Sequence, residues 1–220
     1  MSIIERIESL YLWRGRRPYE MELLEPVSVL EHSLQAAQMA EWDDAAQALV
    51  AATFLHDIGR LLPLPPGADV IDDVHELRGV AFLAEAFEAE VIEPIRLHVQ
   101  AKRYLVARGP GYEVQLSPAS AHALSLQGGP MTDFEVRLFL ELPFAADAIQ
   151  LRLYDDGARH PGKRTPPLRY FLDKLDKFLQ PPHRQRTTIG AFDAAQGHRR
   201  VTSNRQAEPL TQEVPWTNTP

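Results

Sequence analysis

Four of the eight histidines, His32, His56, His75 and His98, recur at intervals of 24, 19 and 23 residues, and Asp57 directly follows His56. Spacing of that size is one helix and its loop, which is how a helical bundle brings ligands from different helices to one interior point. Any one of these histidines alone reads more readily as an ordinary core or surface residue; the set is what points to a metal. Neighbouring positions on a helix diverge by about 100°. His56 and Asp57 therefore either hold two faces of one cation, or let the carboxylate bridge two cations while the imidazole binds one. An unpaired aspartate beside the apolar AATFL run is costly to bury. The chain has no cysteine, which excludes disulfides, thiolate zinc sites and a cysteine nucleophile. The remaining donors, imidazole nitrogen and carboxylate oxygen, suit iron or manganese.

Helical periodicity supplies the elements that position these residues, and no run alternates as a strand does. The expected fold class is all-α. Residues 2–13 put Ile3, Ile4, Ile7 and Leu10 on one stripe, and residues 28–41, after Pro26, form a second helix carrying His32. Asp43 and Asp44 start a third, central helix, which places His56 and Asp57 in its last turn before a left-handed cap at Gly59. Asp72 and Asp73 offer N-caps for a fourth helix beginning near His75, and a fifth runs from about Pro94 to Leu105. Ser117 and Pro118 read as N-cap and first-turn proline of a short helix closed by Gly128 and Gly129. Thr132 and Glu135 form a capping-box pattern. A helix restarts at Pro143 and continues through residue 158, and residues 166–179 make a last amphipathic helix. The folded domain is expected over residues 1–180, with residues 181–220 an irregular tail that is polar and poor in periodic apolar residues.

Composition narrows the function further. Thirty acidic against 23 basic residues give a formal charge of −7, which argues against a nucleic-acid partner, since phosphate-backbone binding draws on excess Lys and Arg. No segment reaches the roughly 18 uninterrupted apolar residues of a membrane span, so no membrane partner is expected and a cytoplasmic location is the default.

The order His32, then HDIG from His56, then a distant Asp155 resembles the HD superfamily, which implies an HD-domain helical bundle in which these four residues supply one metal site. His75, in HELRG, and His98 match the two further ligands of its binuclear members. A narrower resemblance covers roughly residues 22–160. EPVSVLEHSLQAA, FLHDIGRLL, LHVQAKRYL, LSPASAHALSLQGGPM and DAIQLRLYDDGAR together look like the organophosphonate-oxidising branch of the mixed-valence di-iron oxygenases. Myo-inositol oxygenase is a more distant relative of that branch. The resemblance implies two iron ions as an Fe(II)/Fe(III) pair, and O2 and a small-molecule organophosphonate as reactants. Hydrogen is taken from the carbon bearing the hydroxyl and phosphonate, and C–P cleavage releases phosphate. The ligands alone leave a second reading open: a metal-dependent phosphohydrolase acting on a phosphate ester, for which manganese also serves. A non-catalytic metal-binding module is a third, disfavoured by the complete ligand set.

An anion site is expected beside the metals. Lys102 lies four residues after His98, one turn along the same helix, and Arg152 lies three before Asp155. Ser120 sits in the first turn of its helix, where N–H groups and the dipole favour an anion. By resemblance Lys102, Ser120 and Arg152 bind the phosphonate, with Gln127 a weaker candidate. Glu25 matches the acidic residue that meets an amine in aminophosphonate substrates, whereas Glu22 and Arg60 depart from the aromatic and the histidine of the cleaving members. Arg60 is thus expected near the substrate or paired with Glu22 or Glu25. Asp156 is expected beside the site or at the surface, and Glu31 and Glu76 either orient imidazoles or belong to solvated helix faces.

Overall fold

The computed structural model describes residues 1–15, 27–63, 74–113 and 116–181, and every regular element among them is helical. The expectations placed on Glu22, Glu25, Asp72, Asp73 and the C-terminal tail lie outside these residues. Helix α1 (Ile3–Trp13) opens with a Ser2/Glu5 capping box and buries Ile7 and Tyr11. Helix α2 (Val29–Trp42) opens with a second capping box, Ser28/Glu31, which engages the Glu31 carboxylate at the helix start rather than at an imidazole. Helix α3 (Gln47–Leu55) buries seven consecutive residues, Leu49 to Leu55, and is therefore central. The Tyr11 hydroxyl donates to the Phe54 carbonyl at 2.6 Å, tying α1 to α3.

The start and end of α3 differ from the sequence expectation. Asp43 and Asp44 do not cap it: Asp43 ends α2 and accepts from the Tyr154 hydroxyl at 2.7 Å, while Asp44 takes a left-handed backbone, φ 51°. Ala46 precedes the first turn instead. At the other end His56 is the C-cap, Asp57 follows it, and a short 3-10 helix spans Ile58–Leu61. Gly59 is inside that 3-10 helix and has no positive φ, so it is not a left-handed cap. It is glycine for another reason. A Cβ there would stand 1.8 Å from the His75 carbonyl oxygen and 2.8 Å from the Gly79 nitrogen, so the backbone after Asp57 rests directly on helix α4 (His75–Leu83).

Gly59→Ala is therefore expected to push α4, and His75 at its first position, away from Asp57. Overpacking of this kind costs about 1–3 kcal/mol. Calorimetry should show a lower midpoint and metal analysis a lower metal content. Retention of both would mean that the contact yields freely.

Helix α5 (Ala89–Arg108) is longer than expected at both ends and carries Pro94 inside it. The missing N–H falls in the second turn, and Pro94 is buried in the core rather than at a helix start. Helix α6 (Pro118–Leu126) has Ser117 as N-cap and proline at its first position, and Gly128 and Gly129 follow it with φ 92° and 69°. Helix α7 (Asp133–Leu140) has the Thr132/Glu135 capping box. Helix α8 (Ala145–Gly157) starts two residues after Pro143, behind Phe144 in a left-handed conformation. The last amphipathic stretch is shorter than expected, α9 (Leu168–Leu175) plus a 3-10 turn at Asp176–Phe178. The main apolar core joins α1, α2, α3, α4, α5, α8 and α9, and a smaller one joins α5, α7 and α8 around Leu97, Ala101, Val136 and Phe139. Helix α5 packs along α8 through both.

Candidate metal centre and anion cavity

His32 comes from α2, His56 and Asp57 from the end of α3, His75 from the start of α4, His98 from the middle of α5 and Asp155 from α8; all six are buried. The fold brings all six metal candidates into one cluster. His32 Nε2 and His56 Nε2 are 3.2 Å apart, and His75 Nε2 and His98 Nε2 are 3.1 Å apart. Asp57 stands between the two pairs and divides its oxygens. Oδ2 lies 3.9 Å from His32 Nε2 and 3.7 Å from His56 Nε2, while Oδ1 lies 3.1 Å from His75 Nε2. Asp155 Oδ1 is 3.1 Å from His32 Nε2 and 3.8 Å from His56 Nε2.

The donor atoms fit metal ions. Three imidazoles place Nδ1 on a backbone carbonyl: His32 on Ala158 at 3.0 Å, His56 on Thr53 at 2.7 Å and His98 on Ile95 at 2.7 Å. With Nδ1–H donating outward, each Nε2 carries its lone pair inward. The lone pairs of His32 and His56 then face each other at 3.2 Å, an arrangement that a cation reconciles. The groups His32, His56, Asp57 and Asp57, His75, His98 each converge closely enough to hold an ion, with Asp57 common to both.

Electrostatics agree. Burial opposes ionisation of Asp57, yet Arg60, His56 and His75 outweigh it and hold the carboxyl well below its usual range. Burial likewise opposes charge on Asp155, and Arg152 with His32 and His56 overcomes it. Burial, together with His75 and His56, drives His98 well down, so its imidazole is neutral and ready to ligate. Burial lowers His56 too, but Asp57 and Asp155 more than offset that and raise it, so the two carboxylates draw positive charge to this point.

The cluster opens into a cavity lined by Arg60, Lys102, Ser120, Arg152 and Arg159 as well as His32, Asp57, His75, His98 and Asp155. Val99, Ala119 and Ala123 complete its described wall. Lys102 is only 3% exposed, and nothing among the described residues accepts a hydrogen bond from its ammonium. Burial, with repulsion from Arg152, brings it down to about 7. Ser120 is buried in the first turn of α6. Arg152 is buried and engaged: Nη1 donates to Asp155 Oδ2 at 2.7 Å, and Nε donates to Asp156 Oδ2 at 3.0 Å. Arg60 Nε donates to Asp57 Oδ1 at 3.2 Å, so this arginine meets the carboxylate common to both candidate groups and also lines the cavity.

Two residues stand differently from the sequence reading. Gln127 is the C-cap of α6 and is not among the residues lining the cavity. Arg159, which helical periodicity does not single out, does line it. Its Nη2 lies 3.3 Å from Ser120 Oγ and 3.4 Å from Asp155 Oδ1, and its only trace in the sequence is its place four residues after Asp155. His75 Nδ1 is 3.7 Å from Glu76 Oε2, beyond a direct hydrogen bond.

No family model matches the chain. It is 40% identical over 183 residues to the hydroxymethylphosphonate dioxygenase of Gimesia maris, an alignment covering 80% of this chain and 89% of that protein. It is 34% identical over 181 residues to the [1-hydroxy-2-(trimethylamino)ethyl]phosphonate dioxygenase (glycine-betaine-forming) of Leisingera caerulea, covering 81% of this chain and 91% of that protein. No described helix is long and apolar enough to cross a membrane.

Proposed function

The chain belongs to the phosphonate-oxidising branch of the HD-domain oxygenases, and we propose that it uses two iron ions and O2 to cleave the C–P bond of a small 1-hydroxyalkylphosphonate. His32, His56, Asp57 and Asp155 would hold one ion, and Asp57, His75 and His98 the other. Bound there, an iron pair would supply the O2 activation and the relay of electrons from substrate to O2 that oxidation of the C–H bond requires. The observation that carries the substrate side is Lys102. A buried ammonium without an acceptor is costly, and here it borders a cavity shared with the metal ligands, Ser120 and Arg152. A phosphonate oxygen relieves that cost.

In the proposed complex Lys102 neutralises the phosphonate, and the first turn of α6, with Ser120, donates to it. Arg152 presents Nη2 at the same point, 3.3 Å from Ser120 Oγ. These contacts orient the hydroxyl-bearing carbon toward the ligand cluster. The reaction balances as a dioxygenation. Hydroxymethylphosphonate and one O2 give formate, phosphate and a proton, with both oxygen atoms retained in the products.

The part of the substrate that meets Arg60 and Arg159 is proposed to be small and to carry no positive charge, while Glu25, which the resemblance sets against an amine, lies outside the described residues. Among the described residues the cavity has no aromatic ring apart from the ligating imidazoles, and no carboxylate apart from Asp57 and Asp155. A quaternary ammonium is held by aromatic faces or acidic groups, whereas this wall offers Arg60 and Arg159.

Iron-loaded protein given hydroxymethylphosphonate should consume one O2 for each formate and each phosphate formed, and should release no phosphate without O2. Turnover of the trimethylammonium compound should be slower. Phosphate release from simple esters under anaerobic conditions would instead establish the hydrolase.

A further inference from the structure

The anion cavity and the ligand cluster share one side chain, and two residues outside both hold it. Arg152 is 4% exposed and lies in α8 between the two sites. Its Nη1 donates to Asp155 Oδ2 at 2.7 Å, and Asp155 turns its other oxygen, Oδ1, to His32 Nε2 at 3.1 Å. Nη2 reaches Ser120 Oγ at 3.3 Å. The remaining edge of the guanidinium meets Asp156: Nε donates to Oδ2 at 3.0 Å and Nη2 donates to Oδ1. Asp156 Oδ2 also accepts from the Tyr112 hydroxyl, which comes from the segment after α5 and is itself buried.

A guanidinium and a carboxylate prefer two parallel hydrogen bonds. Arg152 directs that two-toothed edge at Asp156, not at Asp155. Asp155 therefore gives Oδ2 to Arg152, while Oδ1 faces His32 Nε2 at 3.1 Å with the longer 3.4 Å approach of Arg159 Nη2 beside it. Were the Arg152 edge free to turn, it would close on both oxygens of Asp155 and compete with the metal.

We propose that Asp156 and Tyr112 are positioning residues that fix the plane of Arg152, so that Asp155 keeps Oδ1 for the metal while Nη2 stays at Ser120. The metal half of the proposal stands on the donor geometry; the Ser120 half rests on the phosphonate reading above. Asp156→Asn removes one of the two acceptors and turns an amide N–H toward the arginine. Tyr112→Phe leaves both Arg152–Asp156 bonds and removes the hydroxyl that donates to Asp156 and accepts from Arg152 Nε at 3.4 Å.

Full-length, iron-loaded wild type, Asp156→Asn and Tyr112→Phe should be challenged with graded concentrations of a chelator, with and without hydroxymethylphosphonate, and their thermal midpoints recorded. Loss of a partner that orients a metal ligand typically weakens affinity about 10–100-fold. Asp156→Asn should therefore release one of its two ions at roughly tenfold lower chelator strength or less, and bind hydroxymethylphosphonate more weakly. Tyr112→Phe should change in the same direction by a smaller factor, and Asp156→Glu should restore part of the retention. A residue that only packs α8 would lower the midpoint and leave ion release unaltered; that outcome overturns the proposal. If Asp156→Asn does not fold, ion release from Tyr112→Phe decides, and unaltered release there overturns it equally. If wild type shows no hydroxymethylphosphonate binding, the phosphonate reading fails while the ion-release comparison still decides the positioning role.

Discussion

Asp57→Ala is expected to strip both metal ions from the protein. The Asp57 carboxylate lies between the His32/His56 pair and the His75/His98 pair, with one oxygen toward each. Its removal takes one ligand from each ion at once and leaves Arg60 facing the cluster without its 3.2 Å contact. Metal binding free energy is also folding free energy. An ion present at about a thousand times its dissociation constant contributes roughly 4 kcal/mol. The loaded protein should then lose about that much for each ion, a fall of roughly 10 °C or more in midpoint for a chain of this size. Metal analysis and calorimetry on the same samples check both effects. Asp57→Asn separates ligation from folding, because it preserves the side-chain shape and one neutral oxygen while removing the shared charge. It should keep at most one ion. Two ions retained in Asp57→Ala would refute the bridging role.

Lys102→Met is expected to make the protein more stable and a poorer binder of its substrate. The ammonium is buried with no acceptor among the described residues, so an apolar side chain of similar length relieves a cost of about 1–3 kcal/mol. The gain depends on pH in a definite direction. Burial brings Lys102 down to about 7 from an ordinary value of 10.5. Below about 7 the folded and unfolded chains both carry the proton, and the whole penalty is present. Between about 7 and 10.5 the folded chain has released a proton that the unfolded chain keeps, and the penalty fades as the pH rises. The midpoint of the variant should thus exceed that of wild type most at pH 6 and least near pH 10. Affinity should move the other way. A charge-assisted contact to an anion is worth about 1.5–3 kcal/mol, or roughly one to two powers of ten in dissociation constant. Iron spectra with hydroxymethylphosphonate, and with methanol as the analogue lacking the phosphonate, read the loss: wild type should discriminate strongly between them and Lys102→Met weakly. Equal discrimination by both proteins would place the phosphonate elsewhere.

Most of the candidate donors and many helix starts are legible in the sequence because they depend on residue type and short intervals. With no cysteine available, His32, His56, Asp57, His75 and His98 are the natural donors and their spacing of one helix and loop lets them meet, whereas Asp155 is singled out only by the resemblance to the HD superfamily. Capping boxes act within four residues, so Thr132 with Glu135 and the glycines after α6 are read directly. Other features follow from contacts between residues far apart in the chain, which no local pattern encodes. Gly59 resembles a helix cap, yet its lack of a side chain follows from the His75 carbonyl packed against it. Asp43 resembles an N-cap, yet Tyr154, 111 residues away, meets its carboxylate at the end of α2. Pro94 suggests a helix start only until the burial of Val91 and Ile92 extends α5 backward past it. The same holds within the site. One-turn spacing brings Arg152 near Asp155, but it takes Tyr112, packed back from the end of α5, to show that the two-toothed edge of that arginine is held by Asp156, which leaves a metal-facing oxygen on Asp155.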